Sequence, residues 1–169
     1  DHKRVGDRDT GLNTGGMGAY CPAPLGTRAL RDQVVREVLQ PMVDAMARIG
    51  SPFQGVLYAG LMIVNGIPYV LEFNARMGDP ETQVVLPLLK TDLLDVIEAV
   101  IDHRLEQLPV EWSGEAAVCV VMTSGGYPGA YQQGMVIAGL PTIAAASSAS
   151  VVFHAGTAQR DQHVITAGG

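Results

Sequence analysis

The sequence predicts an α+β fold: an antiparallel sheet backed by helices, followed by a smaller, mostly-β piece. Three observations carry that expectation. Residues 55–64 and 67–73 are apolar runs joined only by Asn65-Gly66. That pair suits a type I′ turn, which needs φ > 0 at both central residues. Residues 27–49 and 92–103 repeat apolar side chains at helical spacing. A hairpin backed by helices argues against a parallel sheet built from helical crossovers.

The elements follow in order. Residues 1–26 show no period and are rich in Gly, Asp, Asn, Thr and Pro, so they read as loop. In 27–49, Val34, Val38, Met42 and Met46 make one apolar row, with Val35, Leu39 and Val43 beside it. Thr27 is placed to cap this helix. Pro41 lacks an N–H, so a kink or restart is expected near Leu39 and Gln40. Gly50-Ser51-Pro52 ends it. After the hairpin, 81–89 reads as a short helix. Residues 92–103 read as a better one, with Leu93, Leu94, Val96, Ile97, Val100 and Ile101 as its core face. The pattern changes near Pro109, and a boundary is expected between 1–108 and 109–169. Beyond it, 116–123 reads as a buried strand and Gly125-Gly126-Tyr127-Pro128-Gly129 as a turn. Short strand-like pieces follow at 135–137, 151–154 and 163–166, with a small-residue loop at 144–150.

Composition narrows the function. Acids outnumber bases 17 to 11, a net charge of −6, which argues against a general nucleic-acid surface. Cys21 and Cys119 are far apart and suggest neither a disulfide scaffold nor a thiolate zinc site. No apolar run reaches membrane-spanning length, and no signal peptide is visible, so a cytoplasmic address is the default. The chain starts at Asp1 without Met and ends at Gly168-Gly169, which reads as a fragment of a longer protein.

The sharpest chemical feature is Leu71-Glu72-Phe73-Asn74-Ala75-Arg76. Strand alternation puts Glu72 and Asn74 on one face, Arg76 after them, and Leu71 and Phe73 toward the core. A carboxylate and an amide oxygen two residues apart make a hard-oxygen edge suited to Mg²⁺, and an adjacent Arg can clamp a phosphate or carboxylate. The same pattern also suits the polar outer face of an amphipathic strand. In Gly78-Asp79-Pro80-Glu81-Thr82-Gln83, Asp79 fits a helix cap, and its two acids suit either capping, a metal or a substrate ammonium. In Asn13-Thr14-Gly15-Gly16-Met17-Gly18 the glycines allow close ligand approach and an anion nest, or simply a flexible loop. It lacks the residues of a Walker A loop and of a GxGxxG fingerprint. Of the four histidines, none pairs at metal spacing. His103 ends a helix, and His154 reads as structural. Neither cysteine has a recognisable base partner.

Three segments, in this order, line up with one family: Gly6-Asp7-Arg8-Asp9-Thr10-Gly11-Leu12-Asn13-Thr14-Gly15-Gly16-Met17-Gly18-Ala19-Tyr20, then Glu72-Phe73-Asn74-Ala75-Arg76-Met77-Gly78-Asp79-Pro80-Glu81-Thr82-Gln83, then Phe153-His154-Ala155-Gly156-Thr157. Asp1-His2-Lys3-Arg4 and the turn around Tyr127 also fit. The chain resembles the phosphoribosylamine–glycine ligases (glycinamide ribonucleotide synthetases), which are ATP-grasp enzymes, over essentially its whole length. The resemblance implies that 1–108 is the carboxy-terminal half of an ATP-grasp domain and 109–169 the start of a truncated, mostly-β carboxy-terminal domain. It implies ATP-dependent ligation of glycine to 5-phosphoribosylamine through a glycyl phosphate, in purine synthesis. By the same resemblance Glu72 and Asn74 bind Mg²⁺ or Mn²⁺, and Lys3, Glu72, Asn74 and Arg76 face ATP. Arg76 and Asp79 take catalytic roles, while Asn13, Thr14, Gly15, Gly16, Met17, Gly18, Asp79, Pro80 and Glu81 contact substrate. The partners implied are small molecules, with neither nucleic acid nor membrane.

Two positions depart from the family pattern, which has Gly where Arg8 stands and Pro where Leu12 stands. Two other readings remain open. One is a different ATP-grasp carboxylate–amine ligase. The other is an inert fragment that binds metal or phosphate. The 169-residue chain alone is expected to show little or no ligase activity.

Overall fold

A computed structural model describes residues 1–146 and 149–169. The chain forms two compact units, 1–18 with 120–169, and 19–119. It passes between them inside two strands, at Gly18–Ala19 and at Cys119–Val120. This division by compactness and the sequence boundary at 108–109 partition the chain differently.

In the first unit, β1 (His2–Gly6) and β2 (Thr10–Cys21) form an antiparallel hairpin where loop was expected. The reversal is Asp7-Arg8-Asp9, with Arg8 at φ 55° and Asp9 at φ 60°, closed by Thr10 Oγ1 donating to the Asp7 carbonyl at 2.7 Å. The glycine-rich strand carries no apolar alternation, so its sequence has no period of 2. Pairing runs Gly6 with Thr10, Arg4 with Asn13 and His2 with Gly18, with irregularities between these rungs. β5 (Ala117–Val120) completes a sheet in the order β1-β2-β5. It was expected to be buried, but Val118 and Val120 are both 76% exposed. α5 (Leu140–Ala146) stands where the loop at 144–150 was expected to begin; residues 147–148 of that loop lie outside the described residues. β6 (Thr157–Arg160) and β7 (His163–Thr166) form a hairpin about Asp161, at φ 54°. Residues 135–137 lie along β7 with only one bridge, Val136 to Ile165, and 151–154 form no strand. Ile165 is the buried apolar residue of this unit among those described. The turn at Gly125–Gly129 is present, as expected.

In the second unit, α1 (Arg28–Val34) begins at Thr27, whose Oγ1 accepts from Leu30 N–H at 3.2 Å. A π turn over Val35–Leu39 follows, and α2 (Gln40–Arg48) restarts there with Pro41 in its first turn. Pro41 has no N–H to give, and the interruption falls where its missing bond predicts. Gly50, at φ 80°, ends α2. β3 (Tyr58–Val64) and β4 (Ile67–Asn74) pair antiparallel about Asn65 and Gly66, at φ 51° and 79°, the type I′ signature.

The helix expected at 81–89 is α3 (Thr82–Val85), tightened into a 3₁₀ turn over Leu86–Leu88 by Pro87. Asp79 does not cap it; Glu81 holds the cap position, without a side-chain bond to the helix. α4 (Leu93–Ile101) is capped by Asp92, whose Oδ1 accepts from Leu94 N–H at 2.8 Å. Its expected core face is only half realised. Leu93, Val96 and Val100 are half-buried around the fully buried Ala99, whereas Leu94, Ile97 and Ile101 are exposed. The Gln54 amide donates to the Val100 and Ile101 carbonyls and satisfies that helix end.

Candidate functional site

Each unit by itself carries some of the candidate residues. In the second unit the β3–β4 pairing sets the geometry. Val64 to Leu61 pair with Ile67 to Val70, but Gly60 pairs with Glu72 and Tyr58 with Asn74, so Leu71 is the extra residue of a β-bulge. Leu71 was expected in the core; the bulge leaves it 64% exposed, while Phe73 stays half-buried. Glu72 and Asn74 remain two positions apart on a regular stretch and share a face, as expected. Glu72 lies across Gly60: a Cβ there would stand 3.0 Å from Glu72 Cγ and 3.7 Å from its Oε1. Among the described residues no side-chain hydrogen bond engages Glu72 or Asn74. β4 ends at Asn74, and Arg76 lies beyond it, exposed, its Nη1 donating to the Met77 carbonyl at 2.9 Å.

The segment after β4 folds against Tyr58. The phenol donates to Glu81 Oε1 at 2.8 Å. Burial first, then the Glu81 hydrogen bond and charge, push this phenol up to about 12, with Glu72 adding to the rise and Arg76 opposing it. Tyr58 therefore stays a protonated donor, and Glu72, Arg76 and Glu81 all lie within its electrostatic reach. Gly78 is buried here, and a Cβ on it would run into the Glu81 carboxylate and the Tyr58 ring. Pro80 is fully buried and follows a cis peptide bond from Asp79. Asp79 is exposed and accepts from the Gln83 amide at 2.7 Å. Thr82 Oγ1 donates to the Gly78 carbonyl and ties the segment to α3. Burial and then the Asp79 charge push the Cys119 thiol up, which keeps it protonated and a poor nucleophile.

In the first unit the glycine-rich run is an arch in β2 rather than a free loop. Between the rungs His2–Gly18 and Arg4–Asn13, β2 carries more residues than β1, and Lys3 spans the excess. Lys3 Nζ donates to the Gly15 carbonyl at 3.3 Å and pairs with Asp1 at 2.8 Å. Thr14 Oγ1 donates to the Lys3 carbonyl at 2.8 Å and accepts from Gly16 N–H at 3.1 Å. The Met17 carbonyl accepts from Val121 N–H at 3.0 Å. Gly18 is buried; Asn13 and Gly15 are exposed, and a Cβ at Gly15 would meet nothing within 4 Å. The structure thus brings Lys3, Thr14, Gly15 and Gly16 together in one arch, and Glu72, Arg76 and Glu81 around Tyr58 in the other unit.

Two models of one family match this sequence. The ATP-grasp (A) domain of phosphoribosylglycinamide synthetase matches residues 1–82, and the C domain of the same protein matches 117–169. The chain belongs to the phosphoribosylglycinamide synthetase family. Its relatives include proteins named phosphoribosylamine–glycine ligase from Synechocystis sp., 54% identical, and from Rhizobium meliloti and Vibrio cholerae, both 51% identical. Each match takes in 100% of this chain and 39–40% of the relative. The crystal structure of phosphoribosylamine–glycine ligase from Thermotoga maritima superposes with a TM-score of 0.82 at 34% identity, over 100% of this chain and 40% of that one. The chain thus spans about 40% of the length of these synthetase-family relatives.

With the family in place, the residues that sequence reading passed over stand out. Tyr58 sits in the apolar run Val56-Leu57-Tyr58-Ala59 and reads as core. Gly60 and Gly78 make room for Glu72 and Glu81, which only the register and the fold reveal. Among the described residues no group of three or more His, Cys, Asp or Glu is gathered to hold a metal by itself. Mg²⁺ needs no such cage, since it takes one or two protein oxygens and completes its shell with water and phosphate. The hard-oxygen pair Glu72 and Asn74 fits that requirement.

Proposed function

We propose that this chain is the metal- and substrate-binding portion of an ATP-dependent ligase. The enzyme joins glycine to 5-phosphoribosylamine, giving glycinamide ribonucleotide, ADP and phosphate, in the cytoplasmic synthesis of purines. The observation that carries the reading is the Glu72–Asn74 edge, seated over Gly60 in a chain that both family models match. We also propose that 1–108 belongs to the ATP-grasp half and 109–169 to the C domain, a boundary inside the stretch 83–116 that neither model matches.

A free carboxylate is a poor acyl donor, and phosphorylation gives it a leaving group. In this reading Glu72 and Asn74 hold Mg²⁺ or Mn²⁺. The bound ion neutralises phosphate charge and orients the transfer. Arg76, exposed past the end of β4, stabilises the charge on the transferring phosphoryl group. Asp79, Pro80 and Glu81 line the substrate side, where the fixed Glu81 carboxylate suits the ammonium group of glycine. Asp79 sits at the surface with one oxygen committed to Gln83, and takes part in seating the reacting groups. Lys3 lends positive charge for a polyphosphate beside the arch. The backbone from Asn13 to Gly18 admits phosphoribosylamine, with Gly15 leaving its approach open.

The test is a chimaera in which these 169 residues replace the matching segment of the Synechocystis ligase. ADP release is followed with ATP, Mg²⁺, glycine and fresh phosphoribosylamine, each omitted in turn. Release that needs both glycine and phosphoribosylamine is expected. Glu72→Ala is expected to lower turnover at least about 100-fold, the size of loss seen when one electrostatic partner of a reacting group is removed. Release independent of either substrate, or an unaffected Glu72→Ala variant, would overturn the assignment.

A further inference from the structure

We propose that Tyr58 is a positioning residue that fixes the Glu81 carboxylate for the ammonium group of the amino-acid substrate. This inference rests on the ligase assignment above.

Three observations carry it. First, Tyr58 Oη donates to Glu81 Oε1 at 2.8 Å, and both residues are half-buried. A hydrogen bond to an ionised acceptor in a partly buried setting is stronger than a neutral one and fixes the rotamer of both partners. Second, the carboxylate is held from another side as well. Gly78 is buried beneath it, and a Cβ at Gly78 would strike Glu81 Oε2 and the Tyr58 ring. Tyr58, Gly78 and Glu81 therefore interlock, and the bond is not a chance surface contact. Third, Tyr58 pairs with Asn74 across the sheet, two rungs beyond Gly60 and Glu72, with Ala59 and Phe73 between. The phenol thus links the backbone that carries the proposed metal ligands to the carboxylate proposed for the substrate. Among the described residues no ion pair neutralises Glu81, so its carboxylate is left to meet a cation, here the substrate ammonium. Tyr58 keeps its proton and touches no reacting atom; it acts through Glu81.

The experiment uses the same chimaera and compares Tyr58→Phe, Glu81→Gln and the double variant. Tyr58→Phe removes one oxygen and keeps the ring over Gly78. It is expected to raise KM for glycine about tenfold, the worth of one hydrogen bond to a charged group, with kcat and KM for ATP within about twofold. Glu81→Gln is expected to raise the glycine KM at least as much. The double variant is expected to be no worse than Glu81→Gln alone, because a residue acting through another adds nothing once that partner is gone. A general loosening of the fold would instead lower kcat and weaken ATP and glycine together. A wild-type glycine KM in either single variant, or additive effects in the double, overturns the inference while the ligase assignment stands. A folded wild-type chimaera without glycine-dependent turnover overturns both. A wild-type glycine KM in Glu81→Gln overturns the inference even if Tyr58→Phe fails to fold.

Discussion

The two hairpins that carry the candidate residues are built on different rules. β3–β4 turns on Asn65-Gly66, joins two apolar runs that become polar only at Glu72 and Asn74, and departs from strict register once, at Leu71. β1–β2 turns on Arg8-Asp9, is rich in glycine with no apolar alternation, and departs from register twice between only three paired rungs. In the first, local backbone preference and burial specify the pairing. In the second, side chain–backbone bonds from Lys3 and Thr14 hold an arch that neither turn chemistry nor burial would choose. Metal-ligand candidates thus sit on a self-specified strand. The glycine-rich substrate candidates sit on backbone fixed by a few polar contacts.

Three substitutions press on that contrast, from the largest expected effect to the smallest. Gly66→Ala puts a Cβ on a residue at φ 79°. It should lower the local stability of β3–β4 by about 1–2 kcal/mol, the cost of a left-handed L-residue, read as faster amide exchange in that hairpin alone. Thr14→Val removes one donated and one accepted hydrogen bond from an exposed arch. A loss of about 1 kcal/mol is expected, with exchange rising at Gly16 and along β1 while β3–β4 is unchanged. Equal effects on both hairpins would show that they do not stand independently. Arg8→Gly relieves a left-handed arginine at φ 55° but adds freedom to the unfolded chain. The net gain should be below about 1 kcal/mol, seen as slower exchange near Gly6 and Thr10. A loss there would mean that the Arg8 side chain stabilises the turn.

The same contrast explains what was legible in the sequence. The Asn65-Gly66 turn, the Thr27 cap and the restart at Pro41 follow from rules that act within a few residues, and each appears in the fold. Glu72 and Asn74 could be placed on one face because the bulge precedes them and leaves their own alternation intact. Tyr58 could not be found that way. Counted outward from the turn without a bulge, Asn74 would fall opposite Leu57; the extra residue at Leu71 moves it opposite Tyr58. β1 and β2 were unreadable for another reason. A glycine strand has no hydrophobic period, and its turn uses an arginine and an aspartate in a conformation that glycine usually takes. α4 was over-read: its apolar repeat is real, but this chain covers only one side of it.

Gly60 has a consequence for how this sequence can change. Glycine is already the smallest residue, so every replacement adds at least a Cβ, and that carbon would stand 3.0 Å from Glu72 Cγ. Position 60 is therefore a one-way site under mutational drift. Neutral wandering, which at most surface positions leaves neighbours untouched, would here crowd the Glu72 side chain on the neighbouring strand at its Cγ. The absence of a side chain at one position is thus part of what defines the position of another.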